Sequence, residues 1–190
     1  MGRAARPSFP LIHFPPHAIS AALETYVNMS TAIDAKGYTV GWLQALTGMM
    51  ISDIKAIPDD KWSSSMGGCA RPASGLLADT VTNMNWTTDI IKGADQSDAY
   101  NGMEALAEQF ADKTAAVGAL QKSVSDFTEA FMAAGDDRLN TLVKAPWGAM
   151  VPVYLLAQIT VSHVWYHDGQ FNYIQCLLGD GEMHWEVPQS

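Results

Sequence analysis

The sequence predicts an all-α protein, an antiparallel four-helix bundle of a single domain preceded by an extra N-terminal helix. Five segments repeat apolar residues at spacings of three and four, the period of a helix with one buried face. No segment alternates apolar and polar residues as a half-buried strand does, and no Asn-Gly pair lies between two such runs. With 190 residues and 48% hydrophobic residues, the chain is long and apolar enough to bury a substantial core.

The N-terminal part differs from the rest in composition. Residues 1–17 contain four prolines, and the missing amide donors predict an irregular arm. From about Ala18 to Ala35 the apolar residues recur at helical spacing, and Gly37 is expected to end that helix. We therefore divide the chain into an arm with an extra helix, residues 1–37, and a four-helix bundle, residues 38–190.

The first bundle helix is expected from about Val40 to Ile57, where apolar residues repeat on one face until Pro58 stops the helix. Residues 59–70 are rich in Ser and Gly and predict an ordered surface loop. Trp62 is expected to anchor that loop through its indole ring.

The three remaining bundle helices have clearer boundaries. The second should begin at Pro72, a residue favoured in the first turn, and end before Gly93. The third is expected as one long, Ala-rich helix from about Gly102 to Ala134. The fourth should run from about Val151 to Leu178.

Charge and cysteine content bear on location and partners. Eleven basic against twenty acidic residues give a net charge of -9, which disfavours binding to nucleic acid. No run reaches the roughly 18 apolar residues that span a bilayer. Cys69 and Cys176 stand alone without CxxC spacing, so we expect a reducing compartment, the cytoplasm.

The last helix carries a histidine pair. His163 and His167 are one turn apart, roughly 40° apart around the helix, and Gln170 lies on the same face. Two such imidazoles can present nitrogens to one metal ion, with a third ligand from elsewhere. The spacing alone is weak evidence of a metal site, because it is more often that of two hydrogen-bonded core histidines.

Residues 162–179 contain the pattern HxxxHxGQxxYIxxLLG, which resembles the signature of the DinB-like superfamily of DNA-damage-inducible bundle proteins. Residues 57–62 and 145–148 resemble the turns that follow the family's first helix and precede its last. The resemblance covers roughly residues 40–185. It implies a four-helix bundle, frequent homodimers, and a pocket metal held by one histidine of the second bundle helix and two of the last.

The chain departs from the family at the first of these ligands. Where the family has a stretch like LLAH, residues 76–79 read LLAD, and no histidine lies between His17 and His163. If Asp79 points inward, Asp79, His163 and His167 form a two-histidine, one-carboxylate set for zinc, nickel, iron or manganese. A buried carboxylate there needs a metal, a histidinium or a proton. If Asp79 points to solvent, the metal site is degenerate.

Other polar residues are weaker candidates. Asn83, one turn after Asp79, could bind a ligand or solvate the helix. Gln170 is expected to hydrogen-bond within the site rather than to coordinate metal. Asp53 is expected at the surface. We identify no catalytic residue from the sequence.

Two functions follow from the resemblance. The family includes putative metal-dependent hydrolases and thiol S-transferases that use bacillithiol or mycothiol, which implies a metal-dependent enzyme acting on a small-molecule substrate. The alternative is a non-catalytic small-molecule-binding or stress-response bundle with a degenerate metal site. A homodimer formed through the Met-rich first bundle helix is compatible with either function.

Overall fold

The fold is seen in a computed structural model that describes residues 34–94 and 103–185. Helices make up 72% of the described residues, so the predicted all-α bundle is confirmed. The elements are α1 (Ala35–Ala56), α2 (Asp59–Trp62), α3 (Ala73–Lys92), α4 (Met103–Gln109), α5 (Lys113–Ala133), α6 (Asp136–Asn140), β1 (Leu142–Lys144), β2 (Met150–Pro152) and α7 (Val153–Leu177). The N-terminal arm and the predicted extra helix before residue 34 lie outside the described residues.

Four long helices form the bundle. Helix α3 packs against α5 and α7, and α1 packs against the same two helices. Each helix contributes apolar side chains to one continuous core, including Leu43, Leu46, Met50, Leu77, Val81, Met84, Leu120, Phe127, Leu156, Val164 and Phe171. No helix among the described residues has both the length and the apolar composition needed to cross a bilayer.

Helix α1 begins five residues earlier than predicted, and Gly37 lies inside it rather than at a helix end. The Asp34 side chain accepts hydrogen bonds from the backbone N–H groups of Lys36, 3.1 Å, and Gly37, 3.0 Å, and so caps the helix. A Cβ atom at position 37 would collide with the Asp34 carboxylate. Glycine therefore permits this cap, and the expected division of the chain at residue 37 falls within the first turn of α1.

The prediction of a single helix from Gly102 to Ala134 is wrong, because three non-helical residues separate α4 from α5. The Asp112 side chain caps α5 by accepting from Thr114 N, 2.9 Å, and Ala115 N, 3.1 Å. The carbonyl of Phe110 accepts a 2.6 Å hydrogen bond from the indole of Trp62 instead of one from α5. A tertiary contact and a local cap together end the helical run.

Trp62 does anchor its segment, although residues 59–62 form the short helix α2 rather than a loop. The Trp62 side chain is fully buried, and its ring stacks on Phe171 of α7 with a centroid distance of 6.3 Å. The contact fixes the α1–α3 connection against the last helix.

A small antiparallel hairpin precedes α7 and was not predicted. Strands β1 and β2 pair Val143 with Val151, and Gly148 closes the turn with a φ of 91°. Each strand has three residues, too few to show alternation in the sequence. The backbone N–H of Val153 donates to Thr141 O, 3.1 Å, so the hairpin positions the start of α7.

Candidate metal centre

Asp79, His163 and His167 converge between two packed helices. Asp79 lies in the second turn of α3 and His163 and His167 lie in the middle of α7. Because α3 and α7 pack side by side, the Asp79 carboxylate meets the face of α7 that carries both imidazoles. Asp79 is 9% exposed and His167 is 2% exposed, while His163 is half-buried. The site therefore lies just below the protein surface.

The three side chains direct their ligand atoms at one another. His163 Nε2 lies 3.2 Å from His167 Nε2, and His167 Nε2 lies 3.4 Å from Asp79 Oδ2. One ligand atom from each residue falls within 4.8 Å of the others. The structure thus brings together the three residues that the sequence proposed as metal ligands.

These separations fit a small divalent cation. Zinc binds imidazole nitrogen and carboxylate oxygen at about 2.0–2.2 Å, so tetrahedral ligand atoms lie roughly 3.3–3.5 Å apart. The separations of 3.2 and 3.4 Å match this spacing. Without a cation, one of the two Nε2 atoms must carry a proton and donate it to the other.

Gln170 sets the tautomer of His167. The Nδ1 atom of His167 lies 2.6 Å from Gln170 Oε1. An amide oxygen only accepts hydrogen bonds, so Nδ1 carries the proton and Nε2 of neutral His167 keeps its lone pair toward the site. This is the partner role expected of Gln170, and it is the arrangement that metal-binding histidines commonly show.

His163 lacks a comparable partner. Its Nδ1 atom is buried and has no hydrogen-bond partner among the described residues. Burial, and then the neighbouring His167, lower the pKa of His163 to about 4. The imidazole is therefore neutral near pH 7, which is the form that binds metal.

Arg71 provides a cation that the sequence analysis missed. Its Nη1 atom donates to Asp79 Oδ2 at 2.5 Å, from a side chain that is 50% exposed. Burial raises the pKa of Asp79, but its contacts with His167 and with the Arg71 guanidinium outweigh burial and lower that pKa to about 2. The carboxylate is thus ionised. The Arg71 guanidinium neutralises it, a possibility beyond the metal, histidinium or proton that the sequence suggested.

The remaining candidates lie around this centre. Asn83 is buried on α3, where its side-chain oxygen accepts a 3.0 Å hydrogen bond from Thr160 of α7. Its role in ligand binding stays a prediction. Tyr166 is 61% exposed, its ring centroid is 5.1 Å from that of His167, and its hydroxyl accepts from Gln170 Nε2 at 3.3 Å. Arg71, beside Asp79, and Tyr166, beside the histidines, are thus exposed side chains at the edge of the ligand set.

The surface position expected for Asp53 is wrong, because the residue is fully buried between α1 and α7. Its Oδ2 atom accepts from Asn172, 2.6 Å, and from the Trp185 indole, 2.8 Å. Burial, together with the neighbouring Asp53, raises the pKa of Asp168 to about 8. Asp168 therefore carries a proton at neutral pH, and Asn172 and Gln175 donate hydrogen bonds to the Asp53 carboxylate in place of water.

Comparison with known proteins supports the fold. No family model matches the sequence, and no curated protein matches it significantly. The structure is similar to that of the mycothiol-dependent maleylpyruvate isomerase, with a TM-score of 0.61 and 14% identity over 72% of this chain. A histidine-to-alanine mutant of that isomerase matches with the same TM-score and 12% identity. The match spans 60% of the isomerase, and at this identity it shows a shared fold.

Proposed function

We propose that this chain is a DinB-like, metal-dependent enzyme in which Asp79, His163 and His167 hold a divalent cation. The observation that carries the proposal is the convergence of one carboxylate oxygen and two imidazole nitrogens within 4.8 Å, from two different helices. The similar fold of a mycothiol-dependent isomerase supports the superfamily assignment. The placement of the three side chains, one on α3 and two on α7, supports it further because the sequence resemblance implies the same placement, with histidine at the position of Asp79.

The donor set indicates the kind of chemistry. Two imidazoles and one carboxylate leave coordination positions open, and a cation held in this way lowers the pKa of a bound water or thiol. We propose hydrolysis or thiol S-transfer on a small-molecule substrate as the reaction class. Within the chain, Gln170 orients His167, and the exposed side chains Arg71 and Tyr166 border the side from which substrate enters.

The same donor set limits the metal. Mixed nitrogen and oxygen ligands suit zinc, nickel, iron and manganese, whereas calcium and magnesium prefer oxygen ligands alone. Zinc with two histidines and a carboxylate, and iron with the same facial triad, are both established combinations. We propose one of these four transition metals as the bound ion.

A second candidate function is favoured by Arg71. The ion pair between Arg71 and Asp79 already neutralises the carboxylate, so a buried Asp79 does not require a metal. In this alternative the altered ligand set no longer binds metal, and the bundle binds a small molecule without catalysing a reaction. Metal content separates the two candidates.

The test is elemental analysis of untagged protein that has been loaded with zinc and then desalted. Wild type should retain about one metal per chain, Asp79→Ala should lose most of it, and Asp79→His should retain it by supplying a third imidazole. The control is Asp126→Ala, which removes an exposed carboxylate that pairs with Lys122 on α5. A metal-free wild type favours the non-catalytic alternative, and unchanged metal in Asp79→Ala means that the third ligand lies elsewhere.

We also propose a cytoplasmic homodimer. Cys69 and Cys176 are both exposed, free thiols, which persist most readily in a reducing compartment. Light scattering after size exclusion, compared with the 20.5 kDa mass of one chain, tests the dimer. A single species of one chain mass would contradict it.

A further inference from the structure

The Arg71 guanidinium is paired with Asp79 beside the candidate metal site. It directly precedes Pro72, which caps the N-terminus of α3, and its side chain extends along the helix to Asp79, eight residues later. The 2.5 Å contact with Oδ2 uses the Nη1 atom, on the same carboxylate oxygen that faces His167. A guanidinium has five N–H donors in one plane, so an anchor at Nη1 leaves further donors directed away from Asp79.

Half of the Arg71 side chain is exposed to solvent beside the three candidate ligands. Its side chain is 50% exposed, whereas the Asp79 side chain that it contacts is 12% exposed. The guanidinium therefore connects the buried ligand set with the surface. An incoming small molecule would meet Arg71 and the exposed Tyr166 next to the histidines.

The charges of the loaded site do not balance. A divalent cation and Arg71 contribute three positive charges, Asp79 contributes one negative charge, and imidazole ligands are neutral when they bind metal. About two positive charges therefore remain in a half-buried site with a reduced dielectric constant. The rest of the chain is acidic, with a net charge of -9, so this concentration of positive charge is unusual for the molecule.

We infer that Arg71 binds an anionic group of the small-molecule substrate, a carboxylate or a phosphate, beside the metal. This inference rests on the proposed function, because the excess positive charge exists only when the cation is bound. The planar fork of arginine matches both anions with paired hydrogen bonds. The Asp79 contact orients the fork beforehand, which reduces the entropy lost when the anion binds. Arg71 is thus a specificity-determining residue.

The experiment titrates cobalt-loaded protein with sodium acetate, sodium phosphate and neutral acetamide at constant ionic strength, following the visible spectrum of the metal and the heat of binding. Metal content is measured on every sample. The variants are Arg71→Gln, which removes the charge, and Arg71→Lys, which keeps the charge without the fork. Lys122→Gln is the control, because it removes one positive charge from an exposed ion pair on α5.

We expect wild type and Lys122→Gln to bind acetate or phosphate equally well, and Arg71→Gln to bind the same anion roughly 10- to 100-fold more weakly with unchanged metal content. Arg71→Lys should be intermediate, and acetamide should not discriminate among the proteins. The tighter of the two anions identifies the chemical group.

Three results would overturn the inference. Equal anion affinity in wild type and Arg71→Gln, with metal in both, would reject the role of Arg71 and leave the proposed function intact. Loss of metal from Arg71→Gln alone would show that Arg71 acts only by holding Asp79. A wild type that takes up no metal would remove the proposed function and, with it, this inference.

Discussion

Replacing Gln170 with leucine removes the acceptor that holds the His167 Nδ1 proton. The hydrogen bond is short, 2.6 Å, and it keeps the lone pair of Nε2 directed toward Asp79 and His163. Without it, His167 can adopt the other tautomer or rotate, and both changes remove a ligand. Loss of such a partner typically weakens metal affinity about 10- to 100-fold, which is about 1.4–2.7 kcal/mol.

The assay is competition for zinc with a chelating dye at pH 7.5, with unfolding curves to show that each variant is folded. The matched control is Gln158→Leu, because Gln158 is on the same helix and donates a 2.6 Å hydrogen bond to Thr39. Gln158→Leu should bind zinc as wild type does. Gln170→Glu should bind zinc at least as tightly, since a carboxylate accepts the same proton and makes the imidazole more basic.

Comparing the zinc affinities of Gln170→Leu and Gln158→Leu tests whether Gln170 controls the tautomer of His167. If Gln170→Leu and Gln158→Leu have equal zinc affinity, the tautomer of His167 is not controlled by Gln170. The lone-pair geometry assigned to the site would then be incorrect, even if the protein binds metal.

Two further predictions concern stability. The pKa of Asp168 is raised to about 8, from 3.8, so its protonated form stabilises the fold at low pH and this stabilisation is lost as pH rises toward and through 8. The variant Asp168→Asn has no carboxyl proton to lose, so its stability should lack this decline. Its urea midpoint at pH 8.5 should therefore be higher than that of wild type. Parallel plots of urea midpoint against pH for the two proteins would contradict this prediction. Trp62→Phe keeps an aromatic ring but leaves the buried Phe110 carbonyl without its 2.6 Å donor. We expect it to lower the free energy of unfolding in urea by about 1–3 kcal/mol. Trp62→Ala also removes the ring and should lower it by about 3–5 kcal/mol. A urea midpoint of Trp62→Phe equal to that of wild type would show that the hydrogen bond contributes nothing.

Local signals predicted the helices that carry the site. Pro72 caps α3, and Gly93 ends it with a φ of 97°, as the sequence indicated. The start of α7 was placed within two residues, and Gly179 follows it with a φ of 91°. These signals act through the backbone of a few neighbouring residues, so they can be recognised without tertiary information.

Tertiary contacts explain the errors. The break before α5 depends on the Trp62 indole, 48 residues from Phe110, and no pattern within residues 102–134 reveals that contact. Asp53 appeared to be a surface residue because its partners Asn172 and Gln175 are on α7. A buried carboxylate is predictable only when the donors that compensate it are known.

In the candidate site, too, residues on one helix were predictable from the sequence, whereas contacts between elements were not. His163, His167 and Gln170 lie within two turns of one helix, so helical geometry alone placed them on one face. The pairing with Asp79 joins two helices and came from the family resemblance. Arg71 was missed because the residue lies before the start of α3. Helical periodicity therefore does not predict the contact of its side chain with Asp79.

The central claim is that Asp79, His163 and His167 bind one divalent metal ion. The most direct measurement is a crystal structure of zinc-loaded protein, with anomalous difference maps recorded above and below the zinc absorption edge. We predict one anomalous peak at about 2.0–2.2 Å from the Nε2 atoms of both histidines and from an Asp79 oxygen. A map without a peak between these three side chains in zinc-loaded crystals would contradict the claim.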